Sequence, residues 1–256
     1  MRLFAVKTGI VKAGDDLAEV ALKALRRQKL SLDENDVLAF TSKIISTAEG
    51  RIAKLSDIKP SKRAKNLADQ FDLQPMFAEL ILREADKVYG GVEKAVLTLK
   101  DGILTPNAGI DGKNAPEGAV VLWPSDPKKT AKDIRDKIKT RTGKLLGVLI
   151  VDSGLIPLRI GTSGLALAVA GFKPINDVRG KKDFYGKPLT ITRHAVADDL
   201  ASAAHLLMGE AKEKTPIVLI RDAPVDFDDG VYGGKDMMIP LRECIFMGTL
   251  LANSRD

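Results

Sequence analysis

The sequence predicts an α+β fold, and three observations predict it. Apolar runs of strand length alternate with segments whose apolar residues recur at helical spacing. The alternation lacks the even strand–helix rhythm of a doubly wound sheet. The length, 256 residues with 45% hydrophobic and 29% charged, allows a sizeable core in one large domain or two smaller lobes.

The elements follow in order. Asp15 or Asp16 caps a helix in which Leu17, Val20, Ala21, Ala24 and Leu25 share a face. VLAF (37–40) reads as a short strand. Helical spacing recurs over 61–71, 75–87 and 127–141. KAVLTLK (94–100) and AVVLW (119–123) read as strands around a turn-rich loop. LLGVLIV (145–151) and LALAVAG (165–171) read as buried strands. HAVADDLASAAHLLMGE (194–210) reads as a helix with Val196, Leu200, Ala203 and Leu207 on one face. PIVLI (216–220) is a strand, and 240–251 is amphipathic. A division near 125–145, at the long charged helix, stays open. There is no internal repeat and no low-complexity segment.

Composition excludes several classes. No apolar run reaches the roughly 18–20 residues that cross a bilayer. The start, MRLFAVKTGIVKAGDD, lacks the apolar region and cleavage site of a signal peptide. The single cysteine, Cys244, rules out an internal disulfide and points to the cytoplasm. Net charge is +6, from 40 basic and 34 acidic residues spread along the chain. KPSKRAK (59–65) and KKTAKDIRDKIKTRTGK (128–144) read as solvated helix faces, with attraction of an anionic small ligand as the functional alternative. Nucleic-acid binding is not expected, because no RNP-type motif or zinc-finger spacing is present.

Familiar catalytic signatures are missing. There is neither a G-x-G-x-x-G nor a P-loop. His194 and His205 are eleven residues apart, three helical turns, too far for one metal. No zinc set, G-x-S-x-G or Ser-His-Asp set is visible. Three loops carry chemistry instead. In LIVDSGLIPLRIGTSG (149–164) a buried strand ends in Asp152, which suits a metal ligand, since the strand fixes it and the loop exposes it. Ser153 adds a hydroxyl and Arg159 a fork for phosphate or carboxylate. In TPNAGIDGKN (105–114), Asp111 stands between Asn107 and Asn114, in either a plain connection or a ligand loop. In AFTSKIISTAEGR (39–51) a strand ends in Thr41, Ser42 and Lys43, where a lysine beside hydroxyls suits a triphosphate. Asp198 and Asp199 diverge by about 100° on a helix and read as solvent-exposed. Together these residues imply a metal-assisted phosphate-handling site and name no reaction.

Seven segments identify a resemblance: KAGDDLAE, DVLAFTSKIISTAEGRI, ELILREADKV, NAGIDGKN, PSDPKKTA, DVRGKKDFYGKPL and AVADDLASAAHLLMGEA. In this order they resemble the coenzyme F420-0:L-glutamate gamma-ligase (CofE-like) family, from residue 8 to residue 222. The resemblance implies a two-lobed α+β fold in one catalytic unit that forms an intertwined homodimer. It implies GTP as co-substrate, with Mg2+ or Mn2+ and assisting K+. It implies an amide bond between L-glutamate and the carboxylate of F420-0, through an acyl phosphate. A folate-like acid is the alternative acceptor. A non-enzymatic nucleotide- or RNA-binding protein is the reading of another class.

Residue by residue, the resemblance makes Asp111 and Asp152 metal ligands, with Ser153 where the family usually has Thr. Lys43, Ser42 and Asn114 become nucleotide-binding, and Arg159 the expected catalytic cation. One loop departs. The family usually continues D-T-x-G-R-P-W-R-x-G, and residues 152–161 read DSGLIPLRIG. Leu155 and Ile156 replace Gly-Arg, and Leu158 replaces Trp, which puts the acceptor in doubt.

Overall fold

The computed structural model describes residues 1–112 and 115–253. The chain runs β1 (Arg2–Val6), α1 (Leu17–Arg27), β2 (Val37–Thr41), α2 (Ser42–Ala48), β3 (Ile52–Lys54), α3 (Lys62–Phe71), α4 (Pro75–Glu84) and β4 (Lys87–Val92). It continues β5 (Ala95–Lys100), β6 (Ile103–Pro106), β7 (Ala119–Val121), α5 (Pro127–Thr142), β8 (Gly147–Leu155) and β9 (Thr162–Phe172). It ends β10 (Asn176–Asp177), β11 (Arg193–His194), α6 (Val196–Met208), β12 (Ile217–Arg221), β13 (Phe227–Gly233), α7 (Gly234–Met237) and α8 (Ile245–Asn253).

The most apolar runs pair with one another, because each must bury two faces. They make the middle of a six-stranded sheet ordered β1-β12-β2-β8-β9-β13. Its pairs are antiparallel except β2 and β8, which run parallel with Thr41 opposite Val151. α1 and α5 bury Leu25, Ile134 and Ile138 with Val148 and Ile150 on one face. α6 buries Leu200, Ala201 and Ala204 with Leu149 and Val151 on the other. Alternate residues of β8 thus face opposite layers. A separate cluster of Leu80, Ile81, Val96, Ala108, Ile110, Val120 and Leu122 forms within 53–122. No described helix is long and apolar enough to cross a membrane.

Several expectations need correction. Of the two expected caps of α1 it is Asp16 that serves, accepting from the amides of Ala18 and Glu19 at 3.0 and 3.3 Å. TSKIIS, read as a strand end, opens α2 directly. The charged helix α5 packs Ala131, Ile134 and Ile138 into the main core. The buried stripe of α6 is Val196, Ala197, Leu200, Ala201, Ala204 and Met208, rotated from the expected face. Close packing sets that rotation: a Cβ at Gly164 would sit 2.2 Å from the Ala201 carbonyl oxygen. In the 240–251 stretch the helix begins only at Ile245, and α8 is apolar on nearly all sides rather than amphipathic, with Ile245, Phe246 and Leu250 exposed.

Candidate active site

The site follows from the parallel pairing. β2 ends at Thr41, opposite Val151, whereas β8 does not end at Asp152 as expected but runs on to Leu155 paired with β9. Ser42 and Asp152 therefore adjoin where the parallel pairing stops, at the carboxyl edge where open sheets with parallel strands bind ligands. β1 ends and β12 begins at this same edge, with Val6 opposite Ile217 and Ile217 opposite Phe40. A cleft of about 500 Å³ opens there, lined in part by Ser42, Lys43, Asp152, Ser153, His205 and Glu210.

Ser42 donates its hydroxyl to Asp152 Oδ1 at 2.8 Å. Trp123 donates its indole N–H to Asp152 Oδ2. Both carboxylate oxygens are therefore oriented. Burial raises the Asp152 carboxyl above its usual range, against the hydrogen bonds from Ser42, Trp123 and the Ser153 backbone and the charge of Lys43. Lys43 Nζ also donates to Asp111 Oδ2 at 2.7 Å. One ammonium thus contacts Asp111 and acts electrostatically on Asp152.

The NAGID loop is built to present Asp111. Asn107, Ala108 and Gly109 have successive φ values of 51°, 55° and 72°. Asn107 Oδ1 accepts from the Val96 amide at 2.9 Å, and the Ala108 amide donates to Thr98 Oγ1 at 2.8 Å. A left-handed alanine carries strain, of the kind that concentrates at functional sites. Gly109 lies flat on Trp123, where a Cβ would come within 2.1 Å of the ring. Asp111 then exchanges both backbone hydrogen bonds with Val121, at 3.0 and 2.8 Å. Trp123 is thereby shared: its N–H aims Asp152 and its ring seats the loop that carries Asp111. Its carbonyl accepts from Arg51 Nε at 3.1 Å, and Arg51 pairs with Glu84 at 2.7 Å.

Ser153 does not join Asp152 on one face. It follows on the strand and points to the α6 layer, where its hydroxyl donates to Glu210 Oε1 at 2.8 Å and lies 3.2 Å from His205 Nε2. Thr162 donates to the same carboxylate oxygen at 2.6 Å. Desolvation raises Glu210, but the bonds from Thr162, Ser153 and His205 outweigh it and hold the carboxyl at about 2. Sequence reasoning missed Glu210 and set His205 aside. Serine and glutamate meet the same ring nitrogen, so this is no proton relay with acid and hydroxyl on opposite nitrogens. Asp198, expected to be exposed, accepts from the Ala166 amide at 3.0 Å, while Asp199 faces outward to His194 at 2.5 Å. Arg159 stands outside the cleft, exposed on the β8–β9 hairpin with Leu158 and Ile160. Asn114 lies outside the described residues.

The donor set fits a hard cation. It offers carboxylates and hydroxyls, the oxygen ligands of Mg2+ and Mn2+, and Lys43 already brings positive charge to Asp111. Among the described residues no three carboxylate, imidazole or thiolate groups converge to hold a metal alone. Mg2+ commonly takes one or two carboxylates and completes its shell with water and substrate phosphate.

A family model described as F420-0:Gamma-glutamyl ligase matches residues 5–222. The Coenzyme F420:L-glutamate ligase of Methanopyrus kandleri is 40% identical over 212 residues, 82% of either chain. That of Methanothermobacter thermautotrophicus is 38% identical over 240 residues, 93% of this chain and 95% of its own. That of Haloarcula marismortui is 36% identical over 246 residues, 93% of this chain and 92% of its own.

Proposed function

Since the chain belongs to the F420-0:gamma-glutamyl ligase family, we propose that it joins L-glutamate to the carboxylate of coenzyme F420-0 at the expense of GTP. The protein is an amide-forming ligase; acceptor, nucleotide and metal are the proposal. The observation that carries it is Lys43 set between Asp111 and Asp152 beneath an open cleft.

A carboxylate does not condense with an amine in neutral water without activation. The acceptor carboxylate attacks the γ-phosphorus, the bond to the departing GDP oxygen breaks, and an acyl phosphate forms. The glutamate amine, as free base, attacks the acyl carbon, expels inorganic phosphate and loses its proton to solvent. Phosphoryl transfer needs alignment and charge neutralisation more than covalent help. Lys43 would hold phosphate oxygens as a point charge. Ser42 and Trp123 hold Asp152 in one orientation, and the NAGID loop does the same for Asp111. A divalent cation bound by Asp111 and Asp152 would supply Lewis-acid charge at the phosphates. Glu210 adds a second anionic position across the cleft. Assisting K+ and an intertwined homodimer belong to the same proposal. The exposed Leu158 and Ile160 are the surface on which to look for the partner copy.

The test is ligation read by mass spectrometry, with glutamate, Mn2+, K+ and either GTP or ATP. One tube receives F420-0 and another a reduced folate, because the aliphatic 155–158 segment departs from the family pattern. A glutamyl adduct on F420-0 supports the proposal. An adduct on the folate alone replaces the acceptor, and no adduct in any tube overturns the ligation reading.

A further inference from the structure

A second cavity, of about 470 Å³, opens on the α5 face of the sheet. Trp123 lines it, while the indole N–H of the same residue binds Asp152 in the first cleft. Trp123 thus links the two sites, lining the second cavity and binding a residue that lines the first. We propose that this cavity receives the planar ring of the acceptor, a conjugated heterocycle with an imide or lactam edge, while the acceptor's anionic tail reaches past Trp123 to Lys43. The inference rests on the ligase reading above.

The first cleft has the size of a single small-ligand site. A nucleoside triphosphate would occupy it, so the acceptor needs separate room adjoining Asp152. The second cavity is connected to Asp152 through Trp123 and has a suitable lining. Ile103, Leu167 and the Trp123 ring form an apolar part, which suits the faces of a flat ring.

The polar lining is mostly engaged. Lys128 pairs with Asp236 at 2.8 Å, and Asp236 also accepts from the Gly233 amide. Asp126 caps α5 through the Lys129 amide, and Ser125 donates to Glu49. Asp101 and Lys235 remain, with no side-chain partner among the described residues. One accepts and the other donates. A C(=O)–N–H edge requires one of each. Three aspartates against two lysines make the lining a poor polyphosphate site, which argues against a second nucleotide here.

The experiment follows the intrinsic fluorescence of deazaflavins on titration with full-length protein. The probes are F420-0 and the ribityl deazaflavin alcohol that lacks the phospholactyl tail; pteroic acid, followed by calorimetry, represents the lactam class. The variants are Asp101→Gly, which the φ of 49° accommodates without strain, and Lys235→Met, at an exposed side chain. The tail-less alcohol should bind the wild type and resist displacement by GTP. Each variant should weaken its binding about ten-fold, the loss of one hydrogen bond to a charged group, with GTP affinity unchanged. Displacement by GTP, or unaltered binding in both variants, overturns the inference. Ligation of F420-0 without any binding of the tail-less alcohol overturns it too and leaves the ligase reading intact. Binding of the alcohol with no ligation of any acceptor keeps the pocket and rejects the ligase reading. Tighter binding of pteroic acid than of the alcohol assigns the lactam class.

Discussion

Gly109→Ala should be far more damaging than its chemistry suggests, and Gly118→Ala supplies the control. Both glycines flank Asp111, and both have positive φ, 72° and 70°. A left-handed alanine costs about 1–2 kcal/mol at either place. Nothing lies within 4 Å of a Cβ at Gly118, so strain is the whole effect there. At Gly109 the new Cβ would stand 2.1, 2.2 and 2.5 Å from Trp123 Cε2, Nε1 and Cδ2. The ring is buried, 3% exposed, and its N–H is held by Asp152, so displacing it towards the second cavity breaks that bond. Overpacking of this kind adds about 1–3 kcal/mol. Gly109→Ala should therefore lose about 2–5 kcal/mol in all. For a chain of this length each kcal/mol moves Tm by roughly 2–4 °C. Calorimetry of the two variants isolates the overlap as their difference. Trp123 is the protein's one tryptophan, so its emission reports the same displacement directly. If Gly109→Ala melts no lower than Gly118→Ala and leaves the emission unchanged, the ring does not seat the loop and the coupling of Asp111 to Asp152 is wrong.

Trp123→Phe keeps ring bulk and deletes the N–H on Asp152; kcat should fall about ten- to a hundred-fold through misorientation, and Mn2+ titrated against the nucleotide-free protein should bind more weakly. Wild-type Mn2+ affinity in that variant would remove the indole from the site. Asp111→Asn and Asp152→Asn should each abolish ligation with urea midpoints close to wild type; full activity in either purified variant would exclude that residue as a ligand. Asp16 concerns stability alone. Burial raises its carboxyl, but the Arg141 hydrogen bond, the amide of Glu19 and the charge of Lys137 outweigh this and hold it at about 2, against 3.8. A carboxyl depressed on folding stabilises above its unfolded pKa, and that stability is lost as pH falls from 3.8 towards 2. Urea midpoints of wild type and Asp16→Asn should differ at pH 6 and converge near pH 2; a constant gap would place the effect in the helix cap and not in the ion pair.

Where the sequence is informative and where it is silent has a physical basis. The end of β2 is legible because an apolar run that stops in Thr-Ser-Lys marks the place where burial ends; in β8 only the end of the apolar run is legible at Asp-Ser, since the strand itself continues to Leu155. That the two ends adjoin is not legible, since parallel pairing is a contact between residues 110 apart, with no trace in local periodicity. Arg159 shows that a motif does not fix a place in space. Its motif attracts attention, yet the β8–β9 hairpin carries it away from the cleft. Glu210 was overlooked because only the fold brings a helix C-terminus onto Ser153. Trp123 is the most instructive position. In sequence it closes an apolar run and reads as core, and by exposure it is core. Its function lies in one polar atom and one face, directed at Asp152, 29 residues away, and at Gly109, 14 residues back. A resemblance can assign Asp111 and Asp152 by motif, but it does not reveal what holds them. Here the same buried ring holds both, so the dense small-residue run before Asp111 is explained by packing as much as by ligation. Only a glycine lets the loop lie against the indole whose N–H orients the other carboxylate.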